Sequence, residues 1–156
     1  MRISLISVGQ RMPAWVEQGF QEYAKRLPKD YALKLIEVAA YKRTKNTVTQ
    51  AAMQIEGEKI LAAMPKNNRL IVLDERGKLW STLQLAEQMK TWAQSGSDVA
   101  LVVGGADGLS DQVKTKADQL WSLSPLTLPH PLVRVLLAEQ IYRAWSVVSN
   151  HPYHRA

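Results

Sequence analysis

Apolar positions along the chain alternate between short unbroken runs and singles spaced by three or four. Ile3 to Val8 is a nearly continuous apolar run and predicts a strand. Gly9 to Met12 reads as a turn. Pro13 suits the start of a helix, where its missing N–H costs nothing. Trp15, Val16, Phe20, Tyr23 and Leu27 recur at helical spacing until Pro28-Lys29-Asp30 breaks the pattern. Tyr31 to Val38 predicts a second strand, and Thr47 to Met64 a second helix with Gly57 as its weak point. Leu70 to Leu73 is a short strand followed by the turn-like Asp74-Glu75-Arg76-Gly77-Lys78. Ser81 with Gln84 has the form of a capping box and opens a helix carrying Leu85, Met89 and Trp92, which Gly96 ends. Val99 to Val103 is unbroken Val-Ala-Leu-Val-Val, the pattern of a strand buried on both faces in a parallel sheet. After Gly104-Gly105-Ala106-Asp107-Gly108, Ser110 caps a helix expected to reach about Trp121. Leu123 to Leu128 is a further extended segment, interrupted by Pro125. Pro131 starts a long helix bearing Val135, Leu136, Ile141, Tyr142 and Trp145.

Strands alternating with helices imply an α/β fold: a mostly parallel sheet with helices on both faces. The chain of 156 residues shows no internal repeat and no long linker, so residues 1–156 are expected to form a single domain. In such sheets ligands bind beyond the carboxyl ends of the strands. Three loops qualify: after Leu73, after Val103, and around Ser124 to His130.

Composition narrows the partners. The formal net charge is +6, and the excess lies in residues 1–78, which hold 14 Lys and Arg against 8 Asp and Glu; residues 79–156 hold 6 of each. A one-sided basic field attracts polyanions, although lysines also simply solvate a surface. The absence of cysteine removes disulfides and thiolate metal sites and permits a reducing compartment. No apolar run approaches the roughly 20 residues needed to span a bilayer, and Met1 to Gln10 is too short and polar for a signal peptide. A soluble, cytoplasmic protein without a membrane partner is expected. His151 and His154 are three apart, but two ligands without a neighbouring carboxylate or cysteine make a poor metal site, so no metal is expected.

Several residues are candidates for chemistry. Gly104 and Gly105 close a strand, where glycine lets a ligand approach the backbone or merely makes a tight turn; the G-x-G-x-x-G dinucleotide pattern is not met. Ser124-Pro125-Leu126-Thr127-Leu128-Pro129-His130-Pro131 carries three prolines in seven residues. It is either a rigid connector or a stiff, irregular path whose free main-chain groups grip an adenine edge. His130 is a structural histidine or a polar group beside that loop. Glu139 and Arg143, four apart on the last helix, form an ordinary ion pair or face a substrate. Tyr153, His154 and Arg155 sit where most termini are inert, and packing gives no reason for an aromatic, an imidazole and a guanidinium there. They are suited to stack on a base and hold a phosphate.

Gly104-Gly105-Ala106-Asp107-Gly108-Leu109-Ser110, Leu126-Thr127-Leu128-Pro129-His130 and His151-Pro152-Tyr153-His154-Arg155 resemble, in the same order, the ribosomal RNA large subunit methyltransferase H family. Val8-Gly9, Trp15 and Gly57-Glu58 extend the resemblance over essentially the whole chain, and the last thirty or so residues are its most specific part. The resemblance implies a minimal SPOUT-class fold with a deep C-terminal trefoil knot, a homodimer, and an active site at the subunit interface. It implies that Leu73, Asp74, Gly104, Gly105 and Ser124, Pro125, Leu126, Thr127, Leu128 and Pro129 surround S-adenosylmethionine. The implied reaction methylates N3 of a pseudouridine in large-subunit rRNA on the assembled ribosome, with Lys42, Arg43 and Lys45 holding rRNA backbone. His130, Glu139, Arg143, Tyr153, His154 and Arg155 are the candidates for contacting the base. The competing expectation is a non-enzymatic basic RNA-binding or ribosome-assembly factor. An oxidoreductase using the Gly104 turn is disfavoured by the missing fingerprint.

Overall fold

A computed structural model describes residues 1–154. Five strands, β1 (Ile3–Val8), β2 (Leu33–Val38), β3 (Asn68–Leu79), β4 (Asp98–Val103) and β5 (Gln119–Ser122), form one sheet in the order β2-β1-β4-β3-β5. Every pairing is parallel. The helices are α1 (Ala14–Ala24), α2 (Thr49–Ala63), α3 (Thr82–Gln94), α4 (Asp111–Lys116) and α5 (His130–Val148), with a 3₁₀ turn at Lys29–Tyr31.

The two-residue alternation of strand side chains sorts the core into two layers. Ile3 and Leu5 of β1, Ile71 of β3, and Val99 and Leu101 of β4 face a layer filled by α1, α3 and α5 through Phe20, Met89, Trp92, Leu137 and Ile141. Ile6, Val8, Leu70, Val72, Ala100 and Val102 face the other layer, where Ile60 of α2 and Val113 of α4 pack. Central β1 and β4 are apolar on both faces because both faces are covered. The capping box at Ser81 forms: its hydroxyl accepts from Gln84 N at 3.1 Å, and the Gln84 side chain accepts from Ser81 N at 2.8 Å.

Three elements depart from expectation. The strand expected at Leu70 to Leu73 runs on to Leu79. Both Leu73 and Lys78 register with Trp121, so residues 74–77 loop out of the pairing. Gly77 is required there, since a Cβ would lie 2.5 Å from the Trp121 backbone N. The helix after Ser110 stops at Lys116 rather than near Trp121, and Gln119–Ser122 becomes the edge strand β5. Asp118 fastens this junction: its N–H donates to the Leu70 carbonyl and its carboxylate accepts from Leu70 N, both at 2.8 Å. Trp15 lies on α1 at helical spacing but is 53% exposed, while Val16 and Phe20 carry the burial.

Candidate functional site

The carboxyl ends of β3, β4 and β5 open on a cleft of about 710 Å³. Its walls are the residue 74–77 excursion, the Gly104 to Gly108 turn, and the irregular 123–129 loop leading into α5. Of the predicted donor-binding residues, Leu73, Asp74, Gly104, Gly105, Ser124, Leu126, Thr127, Leu128 and Pro129 all line it, as does His130; Pro125 does not. Glu75, Lys114, Trp121 and Val133 also line it and escaped the sequence reading. Lys114 sits four residues after Ser110, in the helix that follows the glycine turn, which is the signal that could have found it.

The glycines differ in what they make possible. A Cβ on Gly104 would sit 2.8 Å from the Gly108 carbonyl carbon and from Leu109 Cγ, so the turn closes on itself only with glycine there. Gly108, at φ 83°, takes the left-handed conformation and donates its N–H to the Gly105 carbonyl at 3.1 Å. Gly105 was expected to admit a ligand. Its missing side chain points instead at Val8 Cγ1, 3.1 Å from an added Cβ, so it lets the turn pack on β1.

Charged groups brace the walls. Lys114 Nζ lies 3.0 Å from Asp74 Oδ2. Burial pushes the Asp74 carboxyl up, but the Arg76 N–H and the Lys114 ammonium together hold it below its ordinary value. Arg43, expected to hold rRNA, is half-buried and engaged within the chain: its guanidinium donates to Glu56 and to Asp107 of the glycine turn. Its neighbours Lys42 and Lys45 are exposed. Arg134 is almost fully buried beneath the cleft, donating from Nη1 to Glu37 Oε2 at 2.7 Å and from Nη2 to the Gly9 carbonyl at 2.8 Å. Burial, and then the Arg134 charge, push His130 below its ordinary pKa, favouring neutral imidazole.

The remaining catalytic candidates gather elsewhere. Asn150, at φ 57°, turns the chain back, with His151 N–H reaching the Ser146 carbonyl and Asn150 N–H the Val147 carbonyl, a Schellman closure of α5. This returns Tyr153 over the helix. Its hydroxyl donates to Glu139 Oε1 at 3.1 Å, and its ring lies 4.5 Å from Tyr142 and 4.9 Å from the Arg143 guanidinium carbon. Arg143 Nε donates to the same Glu139 oxygen at 2.7 Å. The i,i+4 ion pair is therefore present, and Glu139 holds both the cation and the phenol. That carboxylate raises the Arg143 pKa; burial first, and then Glu139, raise that of Tyr153. None of Glu139, Arg143, Tyr153 or His154 lines the cleft. His130 and Arg143 are thirteen residues apart, about 20 Å along a helix axis. Arg155 lies outside the described residues.

A family model described as "Predicted SPOUT methyltransferase" matches residues 1–154. The chain belongs to the SPOUT methyltransferase family. It is 57% identical over 155 residues, 99% of each chain, to a Hahella chejuensis protein named "Ribosomal RNA large subunit methyltransferase H". A solved structure of a probable methylase family protein from Haemophilus influenzae superposes on 99% of this chain and 70% of its own, with a TM-score of 0.56 at 15% identity, a likeness of fold. SPOUT methyltransferases use S-adenosylmethionine, and the cleft suits it. Leu73, Val103, Leu109 and Val133 give it apolar surface. The backbone N–H groups of Thr127 and Leu128 make no hydrogen bond among the described residues, which leaves two donors for an adenine edge. The buried His130 Nδ1 is likewise without a partner. No group of three or more metal-ligating side chains occurs among the described residues, and no helix among them is long and apolar enough to cross a membrane.

Proposed function

We propose that this chain is a methyltransferase of large-subunit rRNA, acting in the cytoplasm as a homodimer on N3 of a pseudouridine in the assembled ribosome. In this reading, residues 1–156 are one domain. The observation that carries it is the division of labour along α5. A donor-shaped cleft stands at the helix start, and a cationic and aromatic cluster of Glu139, Arg143 and Tyr153 stands two to four turns further on. A second copy is needed to set one against the other. The name of the Hahella relative supports rRNA as the substrate, and exposed Lys42 and Lys45 support contact with its backbone. The C-terminal trefoil knot enters this reading through the SPOUT family alone.

When bound, S-adenosylmethionine supplies an activated methyl on a sulfonium centre, so no metal is called for. The chain's own tasks are to align the base and to take the N3 proton. Main-chain groups of residues 124–129 orient the donor. Tyr153 stacks on the base, and Arg143 with Arg155 stabilises its anionic form. His154, whose two ring nitrogens are buried without a partner among the described residues, accepts the proton. His130 faces the donor as a neutral imidazole, and Glu139 fixes Arg143 and Tyr153.

The test is mass spectrometry of rRNA from ribosomes incubated with the protein and S-adenosylmethionine. One added methyl at a single pseudouridine is expected, and unchanged rRNA refutes the reading. The non-enzymatic alternative predicts no thermal stabilisation by the donor, which a folded-state ligand must give. Light scattering that finds only monomer removes the shared site.

A further inference from the structure

Arg43 of the β2–α2 loop was expected, with Lys42 and Lys45, to hold rRNA backbone, yet its guanidinium is turned inward. Glu56 of α2 is 2% exposed and lies beneath the glycine turn. Its carboxylate accepts from Arg43 Nη1 at 2.9 Å and from Arg43 Nη2 at 3.2 Å, a bidentate fork. It also accepts from the Tyr41 backbone N–H at 2.8 Å. Arg43 Nη1 further donates to the Tyr41 carbonyl at 3.0 Å, so the loop is folded around the pair. The remaining edge of the guanidinium, Nε, points away from Glu56 and donates to Asp107 Oδ2 at 2.7 Å. Asp107 belongs to the turn that lines the donor cleft.

A buried carboxylate needs a partner, and one cation would satisfy it. The fork does more than that, because its third contact reaches the cleft wall. Two further contacts place α2 directly under this wall. An added Cβ on Gly105 would lie 3.6 Å from Glu56 Oε1, and one on Gly57 would collide with the Ser110 hydroxyl just beyond the turn. α2 is thus a base plate, and the guanidinium is the one charged tie among the described residues from it to the side-chain-poor segment 104–108. That segment otherwise closes mainly through its own Gly105–Gly108 bridge.

We propose that Arg43 is a positioning residue for the methyl donor, holding the Gly104 to Gly108 turn in its binding conformation through Asp107. The proposal rests on the donor occupying this cleft. Lysine cannot replace arginine here, because an ammonium lacks the planar fork that serves Glu56 and Asp107 together.

Calorimetric donor affinity and thermal melting of the protein test it, using D107A, R43K and R43K/D107A. D107A unties the turn while Arg43 and Glu56 stay paired. Its melting temperature should remain close to the parent's, because the Arg43–Asp107 pair is half-exposed. Its dissociation constant should rise by roughly 2- to 5-fold, the most that a half-exposed ion pair can contribute to holding the turn. R43K should weaken binding similarly, and the double variant no further than the weaker single, since both cut one tie. If R43K does not fold, R43Q/E56Q, which removes the buried charge together with its partner, takes its place. Unchanged affinity in the folded single variants overturns the proposal. So does strict additivity, which means that Asp107 touches the donor itself. Failure of the parent chain to bind the donor is a different result, and it removes the proposed function instead.

Discussion

Replacing Arg134 with methionine isolates one buried cation whose partners are both visible. The substitution removes the donor to the Gly9 carbonyl, a charged hydrogen bond of 2.8 Å in a buried setting, which is worth roughly 1.5–3 kcal/mol. It also removes the ion pair with Glu37, but that carboxylate is 35% exposed and can turn to water, so this contributes only about 0–1 kcal/mol. Acting the other way, the Arg134 Nε is buried without a partner, and its removal recovers part of a desolvation cost. Methionine keeps much of the apolar stem in place. The balance is a destabilisation of about 1–3 kcal/mol, and at roughly 2–4 °C per kcal/mol for a chain of this size the melting temperature should fall by about 2–12 °C. E37Q, which leaves the Gly9 bond intact but takes the counter-charge from a guanidinium only 1% exposed, should cost a comparable amount, about 1–3 kcal/mol. Urea denaturation of both variants measures the two costs separately. If R134M melts within a degree of the parent, the Gly9 carbonyl is not what Arg134 serves.

His130 supplies a pH signature. Its folded pKa lies below the ordinary value of 6.5, so at falling pH the unfolded chain takes the proton first. The stability contributed by neutral His130 is present above pH 6.5 and is lost as pH falls from there through the lowered folded pKa; thermal melts across that window, lost in H130Q, test this. In R134M an imidazole titration followed by NMR should move up toward 6.5. Gly104→Ala should weaken donor binding at least ~10-fold while costing about 1–3 kcal/mol of stability, because its Cβ meets the Gly108 backbone at 2.8 Å. Gly108→Ala meets nothing within 4 Å and should cost only the strain of its φ of 83°, about 1–2 kcal/mol; calorimetry and melting of the pair separate closure from strain. Deleting residues 151–156 should abolish methylation while calorimetric donor binding survives, and normal methylation by the truncated chain would refute a role for the tail.

The sheet's centre was readable because β1 and β4 are covered on both faces, and continuous apolar runs report that directly. The edge was not. β5 is four residues long and pairs with a strand some fifty residues earlier, so the helical continuation from Lys116 looked equally good until Asp118 met Leu70. The three ligand loops followed from sheet topology and do converge on one cleft. Which groups brace them was hidden, since the bonds join residues far apart: Asp74 to Lys114, Arg43 to Asp107, Arg134 to Gly9. Arg134 left a faint trace, an arginine set among Leu132, Val133, Val135 and Leu136 with no acid one helical turn away on either side. The orientation of Gly105 left none, because composition reports that a side chain is missing and not where it would have pointed.

The outward detour of β3 between Leu73 and Lys78 is clamped at both ends by the same partner residue, Trp121. A hinge needs a free side, and this wall has none: to swing it aside would strip β5 from the sheet. Apart from the Arg76 amide, which donates to Asp74 Oδ1 at 2.8 Å, amides at 74–77 should therefore exchange with solvent quickly while their neighbours on either flank stay protected. On the facing wall, by contrast, Leu126 stands 74% exposed.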